Sequence, residues 1–163
     1  MTKVYFPKEV FPAAAVMASC FDFVIASAAL LAFLLVIRIG WSAQLGWIPL
    51  LLVTMIVLAL GIAMIVSAAG LFFRDVKYIV EVVLTFGIFF TPVLFDIRML
   101  GDKGNWLLLN PIAPVLEGFS NCIVRHQAPN LPWLWYSLVV GLTSLCFGYV
   151  FFKHMEPSFA ESI

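Results

Sequence analysis

Apolar positions in this chain do not recur every third or fourth residue, nor do they alternate with polar ones; they run on unbroken over four stretches, 10–37, 48–73, 78–95 and 132–152. A hydrocarbon core of ~30 Å takes about 20 helical residues to cross, and each stretch is sufficient for that. Continuous rather than alternating apolarity selects helices over barrel strands, since in lipid every backbone N–H and C=O must be paired within a helix or a closed barrel. Proline falls where a first helical turn tolerates it, at Pro12 and Pro49. The second stretch carries no charge. Its Ala63 and Ser67, like Ser144 and Gly148 in the fourth, are small residues four apart, a spacing that lets a neighbouring helix approach closely. The third stretch is the least uniform, with Glu81 and Pro92 inside it. The pattern predicts an all-α, polytopic membrane helix bundle with four transmembrane helices.

The connections differ in kind. Arg74-Asp75-Val76-Lys77 is a tight turn between the second and third spans, whereas 96–131 is long and internally patterned. Within it Gly101, Gly104 and Asn105 interrupt the chain, and 106–109 and 114–124 are apolar but too short to span. Asn110-Pro111 separates those two stretches, and a residue before proline is pushed out of helical geometry. The segment therefore predicts two short re-entrant or interfacial helices with a sharp break at Asn110-Pro111. Trp41 and Trp47, and the cluster Trp133, Trp135 and Tyr136, sit at span ends as an interfacial aromatic belt does. Four spans return both termini to one side. The dense Arg74/Lys77 pair, set against far-side cations offset by Asp96, Asp102 and Glu117, assigns that side to the cytoplasm and 96–131 to the outer face. Lys3 and Lys8 before an apolar run imitate a secretion signal, but apolarity continues well beyond any cleavage point.

Composition closes off other classes. The chain of 163 residues is 64% hydrophobic and 11% charged, against about 25% charged in soluble domains. With a mean hydropathy of +1.10 it lacks the polar side chain to cover a water-facing surface. Nine Lys plus Arg balance nine Asp plus Glu, and no basic run offers a phosphate footprint, so nucleic acid is excluded as a partner. Cys20, Cys122 and Cys146 have no metal-ligand spacing and read as small buried residues. No H-E-x-x-H, G-x-S-x-G or P-loop is present, and His126 and His154 fall on opposite sides of the predicted membrane. The chain reads as no enzyme, with no cofactor of its own. Asp22, about ten residues beyond Pro12, is ~15 Å deep, and a carboxylate there costs ~2.5–3.5 kcal/mol unless it faces the bundle interior or water. It reads either as a transport-pathway residue or as a structural acid that joins helices. Glu81 follows Lys77 by four and is expected to pair with it. Asp75 suits a helix N-cap, and the Arg74/Lys77 turn reads alone either as a positive-inside anchor or as a contact site.

These landmarks together resemble a family. Tyr5-Phe6-Pro7-Lys8-Glu9-Val10-Phe11-Pro12, Phe21-Asp22-Phe23, Phe73-Arg74-Asp75-Val76-Lys77-Tyr78-Ile79-Val80, Phe90-Thr91-Pro92-Val93, Leu109-Asn110-Pro111-Ile112 and the tail from Phe152 to Ala160 are similar to the permease subunit of type 2 ATP-binding-cassette exporters of lipid-linked polysaccharide, the group that exports O-antigen, capsule or teichoic acid. The family has six spans, and this chain looks like its last four, without the N-terminal two. The resemblance implies a subunit in the cytoplasmic membrane, paired with a second copy of itself and with nucleotide-binding ATPase subunits that hold ATP and Mg²⁺. It implies that Arg74, Asp75 and Lys77 contact the ATPase and that Asn110, Pro111, Glu117 and Arg125 belong to an outer gate; Asp22 and Pro92 are the candidates for the transport pathway. Two readings from other classes stand beside it. A proton-coupled small-molecule carrier would use Asp22 and Glu81 as its relay. An intramembrane enzyme acting on polyprenyl phosphates would need a cluster of charged residues at one membrane face, and none stands out.

Overall fold

A computed structural model describes residues 10–36, 42–73, 75–93, 96, 97, 99, 101 and 104–161. Its regular elements are helices throughout: α1 (Val10–Val36), α2 (Ile48–Phe72), α3 (Val76–Gly87), α4 (Gly104–Leu107), α5 (Ala113–Ile123) and α6 (Leu131–Glu161). A 3-10 turn, Ala43–Trp47, leads into α2, with the Ser42 hydroxyl accepting from the Gln44 amide, and a second, Ile88–Phe90, extends α3. Three of these helices, α1, α2 and α6, are long and apolar enough to cross a membrane.

The third predicted crossing is shorter than the 78–95 expected of it. Its α-helix has 12 residues and its 3-10 extension 3, which together rise about 24 Å. It stops because Thr91 precedes Pro92 and adopts extended backbone (φ −125°, ψ 147°), the geometry that proline imposes on its predecessor. The Thr91 hydroxyl turns back to donate to the Ile88 carbonyl at 3.0 Å, which seals the end of the helix.

The bundle is organised around α2 and α6, which make the most extensive contact in the molecule. They run parallel. Leu51 and Leu134 share one apolar cluster near the two helix starts, and Ala68 and Phe152 share another toward their ends. Thr54, Gly61 and Ala68, one heptad apart, are buried on α2; Ser137, Gly141 and Gly148 are buried on α6. A Cβ on Gly61 would lie 2.8 Å from the Leu145 backbone nitrogen and 2.9 Å from Ser144 Cβ, and one on Gly148 would lie 2.9 Å from the Gly61 carbonyl oxygen. Absence of side chain is therefore what lets these backbones meet, the usual basis of helix association where lipid provides no hydrophobic drive. The buried hydroxyls are satisfied within their own helices, Thr54 donating to Leu50 O at 2.9 Å and Ser137 to Trp133 O at 3.1 Å. Ser144 and Gly148 lie at this seam, as their spacing suggested. On α2 the seam passes through Gly61 and Ala68.

Two parallel helices joined by one chain require a return path. From Phe73 the chain turns back, and α3 carries it toward the starts of α2 and α6. The segment predicted to hold two short helices contains α4 and α5, with Asn110-Pro111 in the turn between them. Helix α5 is inserted beside the first half of α2. Ala113, Pro114, Val115, Gly118, Asn121 and Cys122 form its buried face, and Val115 and Cys122 join Leu51, Leu58 and Leu134 in one core. Its other flank touches α1, the rings of Phe119 and Phe23 being 5.9 Å apart. Burial pushes the Cys122 thiol up from its ordinary value, and this thiol has no solvent path to a reagent. Maleimide should leave Cys122 unmodified in folded protein and label it only after denaturation, as mass spectrometry of the peptide containing 113–125 would read out.

Candidate functional site

Three groups of residues singled out by sequence occupy three different places. The first is the turn into α3. Arg74 lies outside the described residues. Asp75 occupies the N-cap position, but its backbone is helical (φ −78°, ψ −15°) rather than extended, and its carboxylate caps nothing. Its carbonyl accepts from the Tyr78 and Ile79 amides, both at 3.1 Å, the first bonds of the helix itself. The idle carboxylate corrects the expected side-chain cap, which needs an extended N-cap residue to aim its oxygen at the first turn. Lys77 and Glu81 are both exposed and form no ion pair among the described residues. The expected pairing fails because a Lys placed before Glu is the weaker order on a helix, and an exposed pair gains only a few tenths of a kcal/mol against lost side-chain freedom. Both charges of the turn thus point into the surroundings.

The second place is Asp22, halfway along α1. Its neighbour Phe23 reaches α5, but Asp22 itself, rotated ~100° from that contact, is exposed on the outside of the described bundle. Of the two surroundings expected for it, bundle interior or water, the described helices do not supply the first. Phe11, Met17, Phe21, Val24 and Ile25 on the same helix are also exposed, so α1 presents a largely apolar surface with one carboxylate near its middle. A carboxylate so placed needs water or a polar partner from outside the described chain.

The third place is built from the end of α3, the residues after it, and α5. Pro92 joins Asp96, Ile97, Glu117, Ser120 and Arg125 around a cleft of about 370 Å³. Arg125 is the organising side chain. Its guanidinium is held from one side by the Asn121 carboxamide oxygen at 2.6 Å, one helical turn earlier, and forms an ion pair with the Asp96 carboxylate, to which it donates a hydrogen bond. With the Arg125 and Asp96 side chains 20% and 31% exposed, the pair is partly withdrawn from water and is screened less than a surface pair. Just beyond it, His126 takes left-handed backbone (φ 54°), ending α5 and sending the chain back toward α6. Asn110 is the second connector. Its Nδ2 donates to the Phe90 carbonyl at 3.1 Å and its Oδ1 accepts from the Ile112 amide at 3.2 Å, bridging the end of α3 to the start of α5. The Tyr136 hydroxyl donates to the neighbouring Leu109 carbonyl at 2.8 Å, fastening the same turn to α6.

Pro92, Glu117 and Arg125 thus line one cleft, and Asn110 and Pro111 lie before the start of α5, tied to the end of α3 through Phe90, whereas Asp22 and the Asp75/Lys77 turn lie elsewhere. Sequence reasoning missed Asp96 and Asn121 as members of this cluster. The i, i+4 spacing of Asn121 and Arg125 was available as a signal; the partner 29 residues upstream was not, because nothing local marks it. Among the described residues no group of His, Cys, Asp and Glu could hold a metal ion.

The chain matches no protein-family profile. Over essentially its whole length it is similar to curated proteins of one kind. It is 27% identical over 170 residues to the O-antigen export system permease protein RfbA of Myxococcus xanthus, covering 100% of this chain and 64% of that protein. It is 27% identical over 167 residues to a protein of the same name from Klebsiella pneumoniae, covering 98% and 62%, and 26% identical over 163 residues to another from that organism. The chain spans less than two thirds of the length of these relatives. Its three long apolar helices make it a membrane helix bundle, and its sequence is similar to permeases of this name.

Proposed function

We propose that the chain is part of the transmembrane subunit of an exporter that moves a polyprenyl-linked polysaccharide outward across the cytoplasmic membrane. In this reading hydrolysis of Mg²⁺-ATP takes place in a separate nucleotide-binding subunit, and two copies of the permease work with two of the ATPase. The observation that carries it is similarity to O-antigen export permeases running from one end of the chain to the other. The structure adds physical support. The turn at Asp75 and Lys77 is short, charged and free of internal salt bridges among the described residues, as a docking point for a soluble subunit should be. An intramembrane carboxylate exposed on α1 fits a surface that a second copy or an aqueous conduit covers, which gives Asp22 a place along the transport path. Pro92, Glu117 and Arg125 line a cleft beyond the opposite end of α3, and Asn110, next to Pro111, is bonded to that end at Phe90, which suits an outer gate. Both termini are then cytoplasmic and 96–131 external.

Reconstitution tests this directly. The full-length permease with its ATPase, in inverted vesicles loaded with radiolabelled polyprenyl-linked glycan, should transfer label to the lumenal leaflet only when Mg²⁺-ATP is added. A cysteine at Asn105 should react with an impermeant maleimide from the outer side of intact cells. Transport driven by a pH gradient without nucleotide would replace this reading with that of a proton-coupled carrier, and labelling of Asn105 solely from the cytoplasmic side would overturn the topology.

A further inference from the structure

Helix α3 buries none of its residues and leans only lightly on α2, yet it is the element that brings the chain back across the bundle. Tyr78, Ile79, Val83, Leu84 and Phe86 are each at least 60% exposed. Among the described residues α3 is therefore held less along its sides than at its ends. At the end near Asp75 the described side chains make no such tie. At the other end two side chains do the work: Asn110 binds the Phe90 carbonyl, and Arg125 binds Asp96. Both connectors are themselves oriented, Asn110 by the Ile112 amide and Arg125 by Asn121. Both also sit on parts of the chain that are anchored in the core, α5 by its buried face against α2 and the Leu109 turn by Tyr136.

We propose that Asn110 and Arg125 are positioning residues that clamp the exit of α3 to α5, so that α3 acts as a strut and a displacement at its Asp75–Lys77 end arrives at α5 and the cleft beside it. Helical hydrogen bonds make such a strut stiff along its axis, so a shift of one end is carried to the other. This inference deepens the exporter reading and rests on it for what displaces the strut, but the clamp itself is a property of the fold that can be measured without transport.

The test uses the full-length protein in lipid nanodiscs, with three variants. Arg125→Gln removes the ion pair. Asn110→Asp keeps the acceptor for the Ile112 amide and removes the donor to Phe90. The double variant Asp96→Arg with Arg125→Asp restores a reversed pair. Amide exchange over 91–99 should accelerate about tenfold in each single variant, with α2 and α6 protection unchanged, and should return toward the parental rate in the reversed pair. With the ATPase present, glycan exported per ATP hydrolysed should fall severalfold in the single variants and recover in the reversed pair, while ATP hydrolysis itself persists. Unchanged exchange in Arg125→Gln and Asn110→Asp overturns the clamp. Faster exchange with a parental export-to-hydrolysis ratio overturns the strut. Absence of ATP-driven export by the parental protein removes the exporter reading instead, and the clamp is then judged on exchange alone.

Discussion

Replacing Gly61 with leucine should unfasten α2 from α6 and produce the largest loss of stability of any single change on the seam. Its Cβ would lie 2.8 Å from a backbone nitrogen and 2.9 Å from the Ser144 carbonyl carbon, neither of which can swing aside as a side-chain tip could. The helices must separate, and the Gly148 contact with the Gly61 carbonyl is lost with them. Overpacking of this kind costs ~1–3 kcal/mol and more where backbone is the obstacle. Gly70, on the same helix, has nothing within 4 Å of its would-be Cβ, so Gly70→Leu introduces the same side chain at an open site. Thermal unfolding in detergent, followed by retention in solution, should show Gly61→Leu melting well below the parental protein and Gly70→Leu close to it. Equal melting of the two variants would show that the close seam does not hold the bundle together.

The contrast between these glycines marks where sequence reading ends. That α2 and α6 exist, and roughly where, follows from uninterrupted apolarity, because the bilayer imposes length and apolarity directly on the chain. The break at Asn110-Pro111 is equally legible, since proline constrains its predecessor whatever the surroundings; the same rule at Thr91-Pro92 ends α3 short of residue 95, where apolarity alone would carry it. Which face of α2 meets α6 is not legible: a helix that is apolar all round carries no amphipathic stripe, and small residues at Ala63 and Ser67 look as suitable as Gly61 and Ala68. The length of α3 was overestimated for a related reason. Val93, Leu94 and Phe95 continue its apolar composition in the sequence past Thr91, where its helical backbone stops. At the cleft, Glu117 and Arg125 were legible as charges in a short apolar helix, but the pairing of Arg125 with Asp96 depends on α3 and α5 meeting in space. Asp22 was legible as an intramembrane acid, yet the direction it faces is set by how α1 packs against α2 and, through Phe23 and Phe119, against α5.

The largest functional effect is expected at the other end of α3. Lys77 is exposed on the first turn of the helix, and Arg74, outside the described residues, precedes it by three. In the full-length protein, Arg74→Glu with Lys77→Glu should leave insertion and folding nearly intact. The reversal breaks no ion pair at Lys77 among the described residues, and an acid in place of Lys77, one turn before Glu81, adds one like-charge i, i+4 contact, a penalty of ~0.2–0.5 kcal/mol. Its effect on a charged docking surface is much greater, because opposed charges across an interface become like charges, at about several kcal/mol. ATP-driven glycan export should therefore fall by more than about tenfold at parental expression. Positive residues also set orientation, so accessibility at Asn105 has to be read in the same variant to separate a lost contact from an inverted chain. Parental orientation with lost export assigns the turn to the ATPase contact; parental orientation with parental export leaves Arg74 and Lys77 as anchors to the cytoplasmic face and nothing more.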